Sequence, residues 1–129
     1  MDDLLEVDLP ADTPSLRVAR LVLWEAATRA GLDCDAADDL CLALDEVCFA
    51  TFVRVQSHDR LSLRISTTEG VQVDGHVHTA EPAPPTHPIE FGTLAQALLA
   101  VSVDGFELDE RVDGVHFTMM KHSPVLETQ

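Results

Sequence analysis

The sequence predicts an α/β fold: a two-layer α/β sandwich whose mixed, mostly antiparallel sheet is covered on one face by helices. Three observations carry this. Five short segments alternate apolar and polar residues with the period of a half-buried strand. Two segments near the N-terminus repeat their apolar residues every 3.6 positions, as amphipathic helices do. Strung together with one more helix, they give the order βααββαββ, in which paired strands form a sheet and helices cover its apolar side.

The elements follow in order. Leu4 to Leu9 places Leu5, Val7 and Leu9 on one side and Leu4, Glu6 and Asp8 on the other, and Pro10 ends this first strand. Thr13 before Pro14 is a helix start, with the threonine hydroxyl as cap and proline in the first turn. The helix is expected to reach Ala30 on the apolar stripe Leu16, Ala19, Val22, Leu23, Ala26 and Ala30, with Gly31 as its left-handed stop. Asp33 or Asp35 can cap a second helix running to about Val53, apolar on most sides from Leu40 to Ala50 and therefore internal. Trp24 and Phe49 are expected in the core.

Leu61 to Thr67 and Val71 to Thr79 read as strands joined by a hairpin at Thr68, Glu69 and Gly70. Residues 80–90, AEPAPPTHPIE, hold four of the seven prolines and form the longest loop. A helix over Gly92 to Val101 precedes strands at Phe106 to Arg111 and Val115 to Lys121, with a turn at Asp113 and Gly114. One domain over residues 1–122 and a disordered tail over 123–129 complete the reading, and no internal repeat is present.

With 129 residues, 46% of them hydrophobic, the chain can build one core. Its 23 acidic and 8 basic residues give a formal charge of −15, which repels nucleic-acid phosphates and anionic membranes and favours a basic protein partner. The opening MDDLLEV shows neither a basic leader region nor a long apolar run, so a cytoplasmic protein without a membrane span is expected.

Cys34, Cys41 and Cys48 recur every seven residues along the second helix, about 10 Å apart per step. Neighbours so placed cannot form a disulfide, and helical metal ligands would be three or four residues apart, so small packed side chains are the expectation. His76 and His78, two apart on a strand, face the same side and could hold zinc. His58 and His87 are the candidates to join them, against the plainer reading of surface histidines. No serine lies in a GxSxG context, which removes that class of hydrolase.

The stretch Val18 to Leu32, VARLVLWEAATRAGL, followed by Leu40 to Cys48, LCLALDEVC, resembles the first two helices of RsbW/SpoIIAB-type anti-sigma factors. Those proteins have the Bergerat or GHKL fold, the histidine kinase-like ATPase fold. The element order is similar throughout, the residues most closely from Leu16 to Val53, and DEVC in place of SEAVTN is similar to the atypical UsfX-like branch. The resemblance implies a catalytic base at Glu46, an adenine-reading aspartate at Asp74, a nucleotide-loop glycine at Gly92 and a partner-contacting arginine at Arg20.

The pattern departs from the family in three places. Ala50 stands where an asparagine would hold magnesium, and a methyl group cannot ligate a hard cation. The adenine motif DxGxG is replaced by DGHVHTA, and the glycine-rich phosphate lid by a proline-rich loop. The nucleotide site is thus degenerate, no cofactor is expected, and Glu46 reads as vestigial, or simply as part of a solvated acidic side with Asp38, Asp39 and Asp45.

The resemblance therefore implies an anti-sigma factor-like regulatory protein, a homodimer that sequesters a sigma factor and is released by a STAS-domain anti-anti-sigma factor. The alternative is an active ATP- and Mg2+-dependent serine kinase that phosphorylates this antagonist, with Asp45 or Asp38 replacing the lost asparagine. A GHKL-derived scaffold that binds neither sigma factor nor nucleotide is a third. For Arg20 the plain reading is an exposed arginine paired with Glu25 or Asp12.

Overall fold

The computed structural model describes residues 4–52, 59–79 and 91–123. Its elements are β1 (Leu4–Pro10), α1 (Ser15–Arg29), α2 (Cys34–Phe52), β2 (Arg60–Ser66), β3 (Val71–His78), α3 (Thr93–Ser102), β4 (Gly105–Arg111) and β5 (Gly114–Lys121). The order βααββαββ is the one expected. The proline-rich stretch, His58, His87, Val53 and all of the expected tail except Ser123 lie outside the described residues.

The strands form one five-stranded sheet in the order β1-β2-β3-β5-β4. Every pairing between them is antiparallel, so the sheet is not mixed as expected. β2 is reached over α1 and α2 and β4 over α3, and in each case the chain returns so that its strand lies antiparallel to its sheet neighbours.

Alternation along each strand separates two faces. Leu61, Leu63 and Ile65 of β2, Val71, Val73 and Val77 of β3, and Val115, Phe117 and Met119 of β5 are buried. They form one core with Leu16, Ala19, Leu23 and Ala26 of α1 and Leu40, Leu44 and Val47 of α2. Fully burying a leucine such as Leu40 or Leu44 contributes about 1.5–3 kcal/mol, which explains why a helix apolar on most sides is held innermost. The other face of the sheet carries Arg64, Asp74, His76, His78, His116 and Thr118 and is open.

Local chemistry fixes the helix ends. The carboxylate of Asp12, not the hydroxyl of Thr13, accepts from the Ser15 amide at 2.9 Å at the start of α1. Hydrogen bonding from Ser15, its hydroxyl first and then its amide, holds the Asp12 carboxyl below its ordinary range. Asp33 rather than Asp35 caps α2, accepting from the Ala36 amide at 2.8 Å. At the end of α1 the Leu32 amide donates to the Ala27 carbonyl and Gly31 to Thr28, with Gly31 at φ 83°, a Schellman closure that matches the expected stop.

Two ion pairs fasten α2 on both sides. Arg20 of α1 donates to Asp45 at 2.8 Å, and Lys121 of β5 reaches Asp39 at 3.4 Å while also donating to the Ser102 carbonyl at 2.8 Å. Phe49, expected in the core, is 48% exposed instead, and Trp24 is half-buried against the core. The helical stripe Asp38, Leu42, Asp45 and Phe49 turns outward because Leu40, Leu44, Val47 and Cys48 fill the inward side.

Candidate functional site

The residues singled out from the sequence fall in three separate places. Glu46 is half-buried on α2, on the helical side of the sheet. Asp74 lies on β3 between the buried Val73 and Gly75, so its carboxylate is on the open face, where Thr118 donates to it at 3.1 Å and Gln72 approaches at 3.4 Å. The sheet therefore stands between Asp74 and α2. Gly92 precedes the first turn of α3 with φ −62° and ψ 167°, and a Cβ there would meet nothing within 4 Å.

Gly75, the glycine of the Asp-Gly pair, has a packing role. It pairs with Phe117 across the β3–β5 ladder, and the ring of Phe117 occupies the volume a side chain at position 75 would need.

Arg20 takes neither expected partner. Glu25 is bound by Arg29 one turn along the same helix at 2.9 Å, and Asp12 caps α1. The guanidinium reaches across to Asp45 and remains 39% exposed against 19% for the carboxylate. Asp45 is thereby engaged at the α1–α2 seam, the place where a substitute magnesium ligand was sought.

Beside Arg20, α1 presents Val18 and Leu21, 45% and 67% exposed, three residues apart and so on one side of the helix. The seam itself holds Cys41 and Cys48, both buried, with the Cys41 thiol 3.7 Å from the Arg20 carbonyl. Burial, reinforced by the Asp45 carboxylate, raises the Cys41 thiol to about 11 and the Cys48 thiol further. Cys34 departs from the expected packed row: it begins α2 and is exposed.

Among the described residues, a close group of polar side chains lies on the open face. His76 of β3 lies directly opposite His116 of β5, and their rings stack with centroids 3.9 Å apart. The His78 ring lies 3.5 Å from that of His76, centroid to centroid, and its Nε2 is 3.2 Å from Ser62 Oγ. Asp113, in the tight turn between β4 and β5, joins them: its carboxylate is 3.0 Å from His116 Nε2 and 3.6 Å from His76 Nε2. Its carbonyl oxygen is 3.2 Å from His76 Nε2 as well.

Partial burial, then the neighbouring imidazoles, holds His76 below its ordinary value, against the pull of Asp113. Asp113 is itself lowered, chiefly by its hydrogen bond to His116.

Sequence reasoning found His76 and His78 but sought their companions at positions 58 and 87, outside the described residues. The missed signal was His116 one residue beyond Val115, two past the glycine of a turn, on the strand that pairs with β3.

Compared with known proteins, the chain matches no family model and no curated protein. Among the described residues no helix is long and apolar enough to cross a membrane.

Proposed function

We propose that the chain is a partner-binding regulatory protein of the anti-sigma-factor kind, built on a Bergerat-type variant of the α/β fold. It sequesters a sigma factor through α1 and is released when a STAS-domain antagonist competes for the same surface. The observation that carries this reading is the exposed pair Val18 and Leu21 beside the half-exposed Arg20. They fall within the helix whose sequence resembles the contact helix of that family. Interface hot spots are enriched in arginine, and Val18 and Leu21 add exposed apolar surface to the same helix. The charge of −15 favours encounter with a basic partner.

The test is binding of the purified chain to the sigma factors of its own host, by co-purification and calorimetry. Leu21→Asp is expected to weaken the complex at least about tenfold, roughly 1.4 kcal/mol, while leaving the melting temperature unchanged because Leu21 is exposed. Arg20→Ala is expected to weaken it comparably. Asp45→Asn removes the same internal ion pair but leaves the guanidinium available, so binding should hold within about threefold. Equal loss of binding in both variants would reduce Arg20 to a staple between helices. Capture of no sigma factor would overturn the reading.

A further inference from the structure

The open face of the sheet holds a group of ligand atoms that the proposed partner surface on α1 does not use. We propose that His76, His116 and Asp113 form a binding site for one divalent transition-metal ion of the zinc(II) type, with two imidazole nitrogens and one carboxylate as ligands.

The geometry supplies the argument. One ligand atom from each of the three side chains can be chosen so that all lie within 4.8 Å of one another. In a tetrahedral zinc site, bonds of about 2.0–2.1 Å place neighbouring ligand atoms about 3.3 Å apart. The Asp113 carboxylate lies between the two imidazoles, with Oδ1 3.0 Å from His116 Nε2 and Oδ2 3.6 Å from His76 Nε2, so it is within reach of an ion held by both rings. To admit the ion, the two stacked imidazoles turn out of their parallel arrangement so that both nitrogen lone pairs converge on it.

Donor chemistry narrows its identity. Imidazole nitrogen suits zinc, nickel, cobalt and copper, whereas magnesium and calcium demand oxygen. Three protein ligands leave further positions open toward solvent, the arrangement of an exchangeable or reactive site rather than a closed structural one.

The scaffold holds these groups without the metal. His76 and His116 are fixed as a direct cross-strand pair. Asp113 is fixed by the turn, because its carbonyl accepts from the Thr79 amide at 3.2 Å and ties the turn to the end of β3. Gly114 makes that approach possible: it has φ 130°, and a Cβ there would overlap the Val77 carbonyl.

Charge favours the ion too. Asp109, the β4 partner of His116, is paired with Arg111 at 2.7 Å, so the attraction comes from Asp113 and from the formal charge of −15 on the chain as a whole. His78 is turned to Ser62 and is not counted as a ligand.

The experiment is titration of the full chain with ZnCl2 by calorimetry, and with CoCl2 by its visible absorption, at neutral pH. One equivalent per chain is expected to bind with micromolar or tighter affinity, and cobalt to give the visible bands of a low-coordinate nitrogen and oxygen site. His116→Gln and Asp113→Asn, both on the open face, should each weaken it at least tenfold, and His78→Gln less than about threefold. Zinc should raise the melting temperature of the parent chain and not of His116→Gln, a readout that also reports whether the variant folds. Affinity weaker than about 100 μM would overturn the proposal, as would a first equivalent that survives His116→Gln or is lost in Cys34→Ser.

Discussion

Phe117 and Gly75 face each other across the β3–β5 ladder on the inner side of the sheet, and the phenyl ring fills the space above the glycine. Glycine is required there by packing, since a methyl group would overlap the ring unless Phe117 left its place among Leu63, Leu108 and the helices. Gly75→Ala is expected to destabilise the fold by about 1–3 kcal/mol, measured by urea or thermal unfolding. In a Gly75→Ala, Phe117→Leu double variant most of that loss should return, because the obstructing ring is gone. An unchanged midpoint in the single variant would refute the account.

The three cysteines should separate cleanly by reactivity. Cys34 is exposed, whereas Cys41 and Cys48 are buried at the α1–α2 seam with thiols raised by that burial. The thiolate is the reactive species, so both access and ionisation oppose modification at the seam. A thiol reagent at pH 8 is expected to label one site per chain quickly in native buffer and all three in denaturant. The buried pair should react on the order of a hundredfold more slowly, since exposing them requires an opening of about 2.7 kcal/mol or more. Fast labelling of Cys48 in the native chain would mean that α2 opens readily from its neighbours.

What was legible in the sequence was what is local. The 3.6-residue stripe of α1, its Gly31 closure and the hairpin ending at Gly70 involve residues within a few positions of each other, and the structure places them within one or two residues of the expectation. The sheet order was not legible, because β3 lies beside β5 only after α3 and β4 have passed. His116 and Asp113 were missed as companions of His76 for that reason: the contact depends on register between strands some 40 positions apart. The plain reading of Arg20, as opposed to its partner-contacting one, paired it with the local acids Glu25 or Asp12, whereas it crosses to Asp45, 25 positions away. Phe49 was misplaced because an apolar run from Leu40 to Ala50 conceals which side of the helix faces out.

Nucleotide binding separates the regulatory reading from its kinase alternative. An ATP site of the family's kind needs a base, a magnesium ligand and an adenine-reading carboxylate around one cavity. Glu46 lies on the helical side of the sheet and Asp74 on its open face, with Asp74 already accepting from Thr118. Ala50 offers no oxygen, and Asp45, one of the two candidate substitutes, is bound by Arg20. A formal charge of −15 adds repulsion toward a triphosphate. Calorimetric titration with ATP and Mg2+ is therefore expected to give a dissociation constant weaker than about 1 mM, under roughly 4 kcal/mol of binding free energy. Asp45→Asn and Glu46→Ala should leave that null result unchanged. Micromolar affinity abolished by Glu46→Ala would require Asp45 to leave Arg20 for magnesium, and phosphorylation of the antagonist would then become the function to assay.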